Sequence, residues 1–278
     1  MLTDSQNPPA QRLIVTLLAD YHNVAPAVPS ALIVDVLADL GVTSDAARTA
    51  LSRLVKQGLI ERSRAGRATS YQLSESGRRD VDETQDLILS FGRDRIWDGR
   101  WTVVAYSVTE NNDRQIRHQL RGRLRVFGFA PIYDGMWVAP YAGVESAKVA
   151  THEIGVADVT YFRGPLELSD AAVQRLLQVW EIDELEADYN AFIRNFSPLR
   201  ERLTQGKVSP AEAIVARADL TSAWRLFPRR DPELPNEILG RVGSRAQARQ
   251  LYLDCLDGLR SAAELRFRMI LDSYADLR

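Results

Sequence analysis

An apolar stripe of helical length, followed directly by two short β-prone runs, is the feature that most constrains how this chain can fold. The stripe lies in the segment Val42–Leu73 and recurs at the i, i+3, i+4 spacing of a one-sided helix. Its members are Ala47, Ala50, Leu51, Leu54 and Val55. Ser44 or Thr43 can cap the helix, because a short hydroxyl accepts from first-turn amides. Gly58 stands where a helix needs a left-handed closing residue.

The residues after Gly58 predict a β-hairpin. Leu59–Arg64 and Ala68–Leu73 are short β-prone runs, and the residues 65–67 that join them contain a glycine. Helical spacing upstream predicts a first helix over Gln11–His22 and a second over Ala31–Leu40, separated by two prolines. Helix, helix, tight turn, helix and hairpin together predict a winged helix-turn-helix domain.

Positive charge is concentrated in this part of the chain. The whole chain carries a net charge of −2, yet the segment Gly41–Arg79 holds eight basic residues against three acidic ones. A basic patch on a helix and an adjacent hairpin indicates binding to double-stranded DNA, whose major groove of about 12 Å admits a helix. The predicted DNA-binding side chains are Ser44, Arg48, Thr49, Ser52, Arg53, Lys56, Arg62, Arg64 and Arg67.

These residues are expected to divide the work of recognition. Arg48 and Arg53 are candidates for guanine contacts, and Lys56 and the hairpin arginines for phosphate or minor-groove contacts. The helix cations alone fit an ordinary solvated face equally well. The hairpin favours DNA, because Glu61 is the only acid near its arginines. A winged domain that binds protein instead would be expected to have a neutral or acidic helix face.

The middle of the chain predicts a ferredoxin-like β-α-β-β-α-β domain. Its expected elements are a strand over Trp101–Val108, a helix over Asn111–Phe127, strands over Phe129–Tyr133 and Gly135–Ala139, a helix over Val144–Gly155 and a strand over Asp158–Phe162. The first of these helices carries five arginines, which fit phosphate or nucleic acid, the pyrophosphate of a ligand, or the acid-rich tail equally well. They are Arg114, Arg117, Arg121, Arg123 and Arg125.

Residues from Leu168 onward predict helices only, the last of them one long or two shorter helices divided near Gly258. The expected fold class is therefore α+β, with a winged domain over residues 1–92, a ferredoxin-like middle domain over 93–165 and a helical C-terminal domain over 166–278. A helical domain of this size can carry a dimer interface or enclose a ligand.

Composition and spacing predict no catalytic, cofactor or metal site. The three histidines are far apart, and no cluster has metal-ligand spacing. A single cysteine, Cys255, permits no internal disulfide, so cytoplasmic residence is expected. No run approaches the roughly 20 apolar residues that cross a bilayer, and the N-terminus lacks a secretory signal. The alternative function is a metal-dependent nuclease, which needs converging carboxylates; Tyr106-Ser107-Val108 supplies none, and Glu110 comes only in the turn.

Four stretches of the sequence resemble the PaaX family of bacterial transcriptional regulators, in the family's order and over almost the whole chain. Val15–Tyr21 resembles its opening helix, and Ala46–Tyr71 its recognition helix and wing. Trp101, Gly128-Phe129 and Gly135–Pro140 resemble its middle domain. The C-terminal signature is resembled by Trp224-Arg225 and by Phe227–Pro235 (FPRRDPELP).

The resemblance implies a homodimeric repressor that binds palindromic operator DNA and is released by a small-molecule effector. The family's best-known effector is an aryl-CoA thioester. Family members often carry a histidine two residues before the aromatic-arginine pair, where this chain has Ser222, so no effector or metal role of that histidine carries over. For an effector pocket the sequence offers aromatic and basic residues that fit core packing equally well: Arg121, Arg125, Trp137, Trp224 and Arg225.

Overall fold

The computed structural model describes residues 10–65, 68–93, 95–107, 113–239 and 243–275. Helices and small antiparallel sheets occur together, so the α+β class expected from the sequence is confirmed. The chain forms two compact units, the first within Met1–Phe91, Asp188–Pro228 and Gln247–Arg278, and the second within Gly92–Ala187 and Arg229–Ala246. The C-terminal helices contribute to both units, and the three-domain boundaries at residues 92 and 165 stay a prediction.

The N-terminal part of the first unit alternates helices with a small sheet. Its elements are α1 Ala10–Asp20, β1 Val28–Pro29, α2 Ser30–Asp39, α3 Ser44–Lys56, β2 Ile60–Ala65, β3 Ala68–Leu73 and α4 Glu75–Ser90. The sheet has the order β1-β3-β2, and both pairings are antiparallel. Strand β1 was not predicted, because it consists of two residues, ends in a proline and pairs with Tyr71 and Ser70 far along the chain. Its edge position accommodates Pro29, which has no amide to donate.

One apolar core holds the three N-terminal helices together. Each helix turns a row of aliphatic side chains inward, as the helical spacing predicts. The buried members include Leu13, Ile14, Leu17 and Leu18 of α1, Leu32, Ile33, Val36 and Leu37 of α2, and Ala47, Ala50, Leu51 and Leu54 of α3.

The first unit also contains most of three C-terminal helices. These are α8 Ile182–Thr204, α9 Pro210–Trp224 and α11 Arg245–Ala275. Helix α11 passes through Gly258 without a break, so of the two alternatives left open by the sequence, one long helix is the one observed. A capping box begins α9: the Ser209 hydroxyl accepts from the Glu212 amide, and the Glu212 carboxylate accepts from the Ser209 amide.

The C-terminal helices pack directly on the N-terminal ones. The rings of Tyr21 and Phe267 stack with centroids 4.3 Å apart and planes within 3°. The Arg217 guanidinium donates to Asp20 at 2.8 Å and to the Leu256 carbonyl at 3.1 Å. The Arg217 and Asp20 side chains are only 16% and 14% exposed. This buried ion pair joins α9 to the end of α1.

An aromatic cluster around Trp224 closes the same unit. Trp224 stacks on Tyr252 at a centroid distance of 4.9 Å and meets Phe91 edge-on at 5.8 Å. Its indole Nε1 donates to the carbonyl of Ile88, near the end of α4, at 3.4 Å. The Arg249 guanidinium donates to the Phe91 carbonyl at 3.0 Å. Trp224 is therefore a core residue.

The second unit contains a four-stranded antiparallel sheet. Its elements are β4 Trp101–Tyr106, α5 Asp113–Val126, β5 Ala130–Tyr133, β6 Met136–Ala139, α6 Val144–Ile154, β7 Val159–Gly164, α7 Asp170–Val179 and, after the loop that follows α9, α10 Asn236–Leu239. The strand order is β5-β6-β4-β7, and the element order through β7 is β-α-β-β-α-β. One face packs on α5 and α6 around Val104, Leu124, Phe129 and Trp137. The other packs Trp101 and Val103 with Leu176 of α7 and Ile238 of α10.

Residues 231–234 of the proline-rich C-terminal signature form a network of hydrogen bonds in the second unit. The buried Asp231 carboxylate accepts from the Arg245 guanidinium with both oxygens at 3.2 Å, and Arg245 also donates to the Leu234 carbonyl. Glu233 adopts a left-handed backbone conformation (φ 55°), and its carboxylate accepts from the Gly92 amide at 2.8 Å. The signature residues therefore order this loop.

Among the helices of the described residues, none combines the length and apolar character needed to cross a bilayer.

Candidate nucleic-acid interface

Helix α3 begins and packs much as its sequence predicts. Thr43 is the N-cap, and its hydroxyl accepts from the Ala46 amide at 3.3 Å. Four of the five members of the predicted stripe are buried against α1 and α2. The fifth, Val55, is 36% exposed. The residues of α1 and α2 cover a narrower strip of α3 than the sequence spacing suggests.

The opposite face of α3 presents six of the nine side chains predicted to bind DNA. All six are exposed and lie along one side of the helix: Ser44, Arg48, Thr49, Ser52, Arg53 and Lys56. Within the described part of the chain, Arg48, Arg53 and Lys56 form no ion pair and no side-chain hydrogen bond. Their charges are therefore not neutralised by the protein and are available to an anionic partner.

The hairpin β2-β3 adds a second row of positive charge. Arg62 lies opposite Tyr71, and Arg64 opposite Thr69. Because side chains alternate along a strand, both arginines share the sheet face of Ile60, which is buried, and they extend that row outward as exposed residues. Arg67, the third predicted hairpin contact, lies outside the described residues.

The one acid near the hairpin arginines is engaged elsewhere. The Glu61 carboxylate accepts from the side-chain amide of Gln72 at 2.9 Å, and both residues lie on the sheet face opposite to Arg62 and Arg64. None of the ion pairs formed by the described residues includes either of these arginines. The hairpin is thus an exposed basic surface.

A small hydrogen-bonded junction ties together the end of α3, the hairpin and the start of α4. Gly58 is left-handed (φ 74°), and its carbonyl accepts from the hydroxyls of Ser74 at 2.6 Å and Ser76 at 3.0 Å. The Ser74 hydroxyl in turn accepts from the Gly77 amide at 3.0 Å. A Cβ atom on Gly77 would lie 2.0 Å from the Leu59 carbonyl oxygen, so only glycine fits there.

This junction was not predicted from the sequence. Its signal is the S-E-S-G run at the start of α4, in which a hydroxyl precedes the helix and a glycine occupies its first turn. The junction connects the end of α3 to the hairpin and to α4, next to the exposed basic residues of both.

Two of the five arginines of α5 form ion pairs within their own unit. Arg121 forms an ion pair with Asp134, and Arg123 pairs with Glu153 at 2.6 Å. Of the three alternatives left open by the sequence, pairing with acids is the one observed for these two, although the acids belong to the second unit and not to the C-terminal tail. Trp137, buried in the α5–α6 core, is a packing residue like Trp224.

The end of β4 offers no carboxylate for metal-dependent hydrolysis among the described residues. Strand β4 ends at Tyr106 and is followed by Ser107; Val108 and Glu110 lie outside the described residues. Searching the residues that the structure describes, we find no group of three His, Cys, Asp or Glu side chains that could hold a metal ion. No observation favours the nuclease alternative.

Three sequence-family models match successive parts of this chain. They are described as PaaX-like protein (residues 9–77), PaaX protein central Cas2-like domain (residues 94–175) and PaaX-like protein C-terminal domain (residues 180–269). The transcriptional repressor PaaX of Escherichia coli strain K12 is 31% identical over 233 residues, which cover 82% of this chain and 72% of that protein. The solved structure of the uncharacterized protein Rv0674 from Mycobacterium tuberculosis has the same fold, with a TM-score of 0.58 and 19% identity, over 92% of this chain and 97% of that one.

Proposed function

Because this chain belongs to the PaaX family, we propose that it is a cytoplasmic, sequence-specific DNA-binding regulator that represses transcription. The observation that carries the proposal is the exposed face of α3, where Arg48, Arg53 and Lys56 have no partner within the described chain. The adjoining basic hairpin supports it, as does the similarity to the E. coli relative, which is a transcriptional repressor. The role is regulatory and not enzymatic.

Recognition follows from the chemistry of these side chains. Helix α3 enters the major groove, where Arg48 and Arg53 donate in pairs to guanine edges, each good pair giving roughly 1–3 kcal/mol of discrimination. Thr49 and Ser52 provide adaptable hydrogen bonds beside them. Ser44, Lys56 and the hairpin arginines Arg62, Arg64 and Arg67 bind phosphates or the minor groove and fix the orientation of the helix.

Regulation requires two copies of the chain and a ligand. In a homodimer, two α3 helices read half-sites about 34–36 Å apart, which gives the operator its two-fold symmetry. A small-molecule effector releases the dimer by binding preferentially to a geometry in which these helices no longer match the half-sites. Full release, from 1:99 to 99:1, needs about 5.5 kcal/mol of differential affinity. An aryl-CoA thioester is the effector that family membership suggests.

The proposal is tested by binding of the purified protein to DNA fragments from upstream of its own gene and of neighbouring operons. Fluorescence anisotropy is recorded across a salt series for the wild type and for the double variant Arg48→Ala/Arg53→Ala. The control is Arg260→Ala/Arg268→Ala, which removes two exposed arginines of α11 from the same unit.

We expect the wild type and the control to bind one fragment tightly. A plot of log K against log salt should have a slope of about −0.9 for each phosphate that the protein neutralises. The α3 variant should lose its preference for that fragment. Equal binding of all fragments by all three proteins, or equal losses in the two double variants, would contradict groove recognition by α3.

A further inference from the structure

The second unit has an open cavity on the sheet face that packs against α7 and α10. Its volume is about 530 Å³, within the range of sites that hold small molecules. Its lining includes two tryptophans, Trp97 and Trp101, partly buried aliphatic side chains such as Leu168 and Val173, and two exposed carboxylates, Asp170 and Glu237, which are called its rim below. Nothing in the proposed DNA-binding function uses this cavity.

The two tryptophans form an aromatic corner. Their ring centroids are 5.6 Å apart, and their planes meet at 82°. Trp101 belongs to β4 and is only 3% exposed, which fixes its ring in the sheet. The Trp97 indole Nε1 donates to the Arg100 carbonyl at 3.1 Å, so its only donor is already occupied. Trp97 therefore offers a ligand its π surface and no hydrogen bond.

The charged groups of the cavity are all of one sign. Asp170 is the first residue of α7, held by the Ser169 cap, and Glu237 lies in α10. Both are exposed, and within the described residues neither takes part in a hydrogen bond or an ion pair. None of the described residues that line the cavity is a lysine or an arginine. The rim therefore attracts cations and repels anions.

We infer that this cavity binds a small organic cation with an apolar body, such as an arylalkyl or quaternary ammonium compound. The face of an indole ring attracts a cation within about 6 Å of its centroid, and the half-buried Trp97, which packs on the buried Trp101, supplies that ring. The carboxylates complement the charge at the mouth. The multiply phosphorylated CoA thioester suggested for the family has the opposite charge, so this is a site of different chemistry. The inference does not depend on DNA binding.

The test is calorimetric titration of the full-length protein with phenyltrimethylammonium, whose charge is permanent. Two comparison compounds separate charge from shape: tert-butylbenzene, which is a neutral isostere, and phenylacetate, which is an anion of similar size. We expect saturable binding of one cation per chain, and at least tenfold weaker binding of both comparison compounds.

Four single variants locate the site. Trp97→Leu should weaken binding of phenyltrimethylammonium at least tenfold, and Asp170→Asn and Glu237→Gln about three- to tenfold each. Glu167→Gln removes an exposed carboxylate that neighbours the cavity without lining it, and should change the Kd less than twofold. The rim variants and their control alter exposed side chains, so they test the site even if Trp97→Leu fails to fold.

The inference is overturned by the absence of saturable binding or by equal affinity for the cation and its neutral isostere. It is equally overturned if Glu167→Gln weakens binding as much as the two rim variants, because the attraction is then a diffuse field and not a site.

Discussion

Replacing Gly77 by alanine tests the junction that joins the recognition helix to the hairpin and α4. In a helix, glycine is ordinarily about 0.5–1 kcal/mol worse than alanine, so the exchange alone should stabilise the protein. Here the new methyl group would lie 2.0 Å from the Leu59 carbonyl oxygen, and the neighbour is backbone, which cannot rotate away. Relief requires α4 to move off the end of α3.

The magnitude follows from two costs. Overpacking of this kind costs roughly 1–3 kcal/mol, and the hydrogen bonds of Ser74 to Gly77 and Gly58 contribute about 0.5–1.5 kcal/mol each. After subtracting the helical gain, we expect Gly77→Ala to lower the free energy of unfolding by about 2–4 kcal/mol. In a unit of this size, each kcal/mol lowers Tm by roughly 2–4 °C.

The assay is thermal unfolding followed by circular dichroism and calorimetry. Gly122→Ala is the matched control, because Gly122 lies within α5 and an added Cβ would meet no atom within 4 Å; that variant should unfold at or slightly above the wild-type temperature. A Gly77→Ala protein as stable as the control would refute the reasoning. Operator affinity should fall with stability, since the same junction orients α3.

Two further predictions concern the C-terminal helices of the first unit. Arg217→Met leaves the carboxylate of Asp20 without its partner, so we expect the free energy of unfolding to fall by about 3 kcal/mol. Urea unfolding should show that the double variant Asp20→Asn/Arg217→Met regains part of this loss. If the double variant regains nothing, the ion pair is not the cause of the loss. The hydrogen bond from the Ser209 backbone amide, and secondarily that from the Arg202 guanidinium, lower the pKa of Glu212 to about 2. Its stabilising contribution is therefore present above the unfolded-state pKa of roughly 4.3 and lost as the pH falls towards 2. The Tm difference between wild type and Glu212→Gln should shrink over that interval, and a difference independent of pH would exclude the carboxylate as its source.

The recognition helix could be predicted because its information is local. The spacing of Ala47, Ala50, Leu51 and Leu54 defines the buried side, and the remaining positions follow from helical geometry. Val55 belongs to the apolar stripe and yet is exposed, because the width of the buried strip depends on how α1 and α2 lie against α3, and no local pattern records that. The same argument applies to β1, which exists only through its pairing with Tyr71 and Ser70.

Contacts between distant parts of the chain were beyond the sequence analysis. Asp20 and Arg217 are 197 positions apart, and neither position stands out in its own segment. The sequence could not show whether Trp137 and Trp224 pack in a core or bind a ligand, because both kinds of tryptophan occur in the same sequence patterns. The cavity of the second unit was likewise invisible, since its rim carboxylates come from helices far apart in the chain.

Two contacts of the C-terminal helices have a consequence for protein engineering: Phe267 stacks on Tyr21, and Arg217 pairs with Asp20. A chimeric regulator is made by fusing the N-terminal DNA-binding segment of one protein to the ligand-binding domain of another. A graft of residues 1–92 of this chain would leave behind the helices that cover Tyr21 and neutralise Asp20. The transplant would expose an aromatic ring and an unpaired carboxylate on its own scaffold. In this chain the N-terminal segment and the C-terminal helices that cover it therefore have to be transferred together.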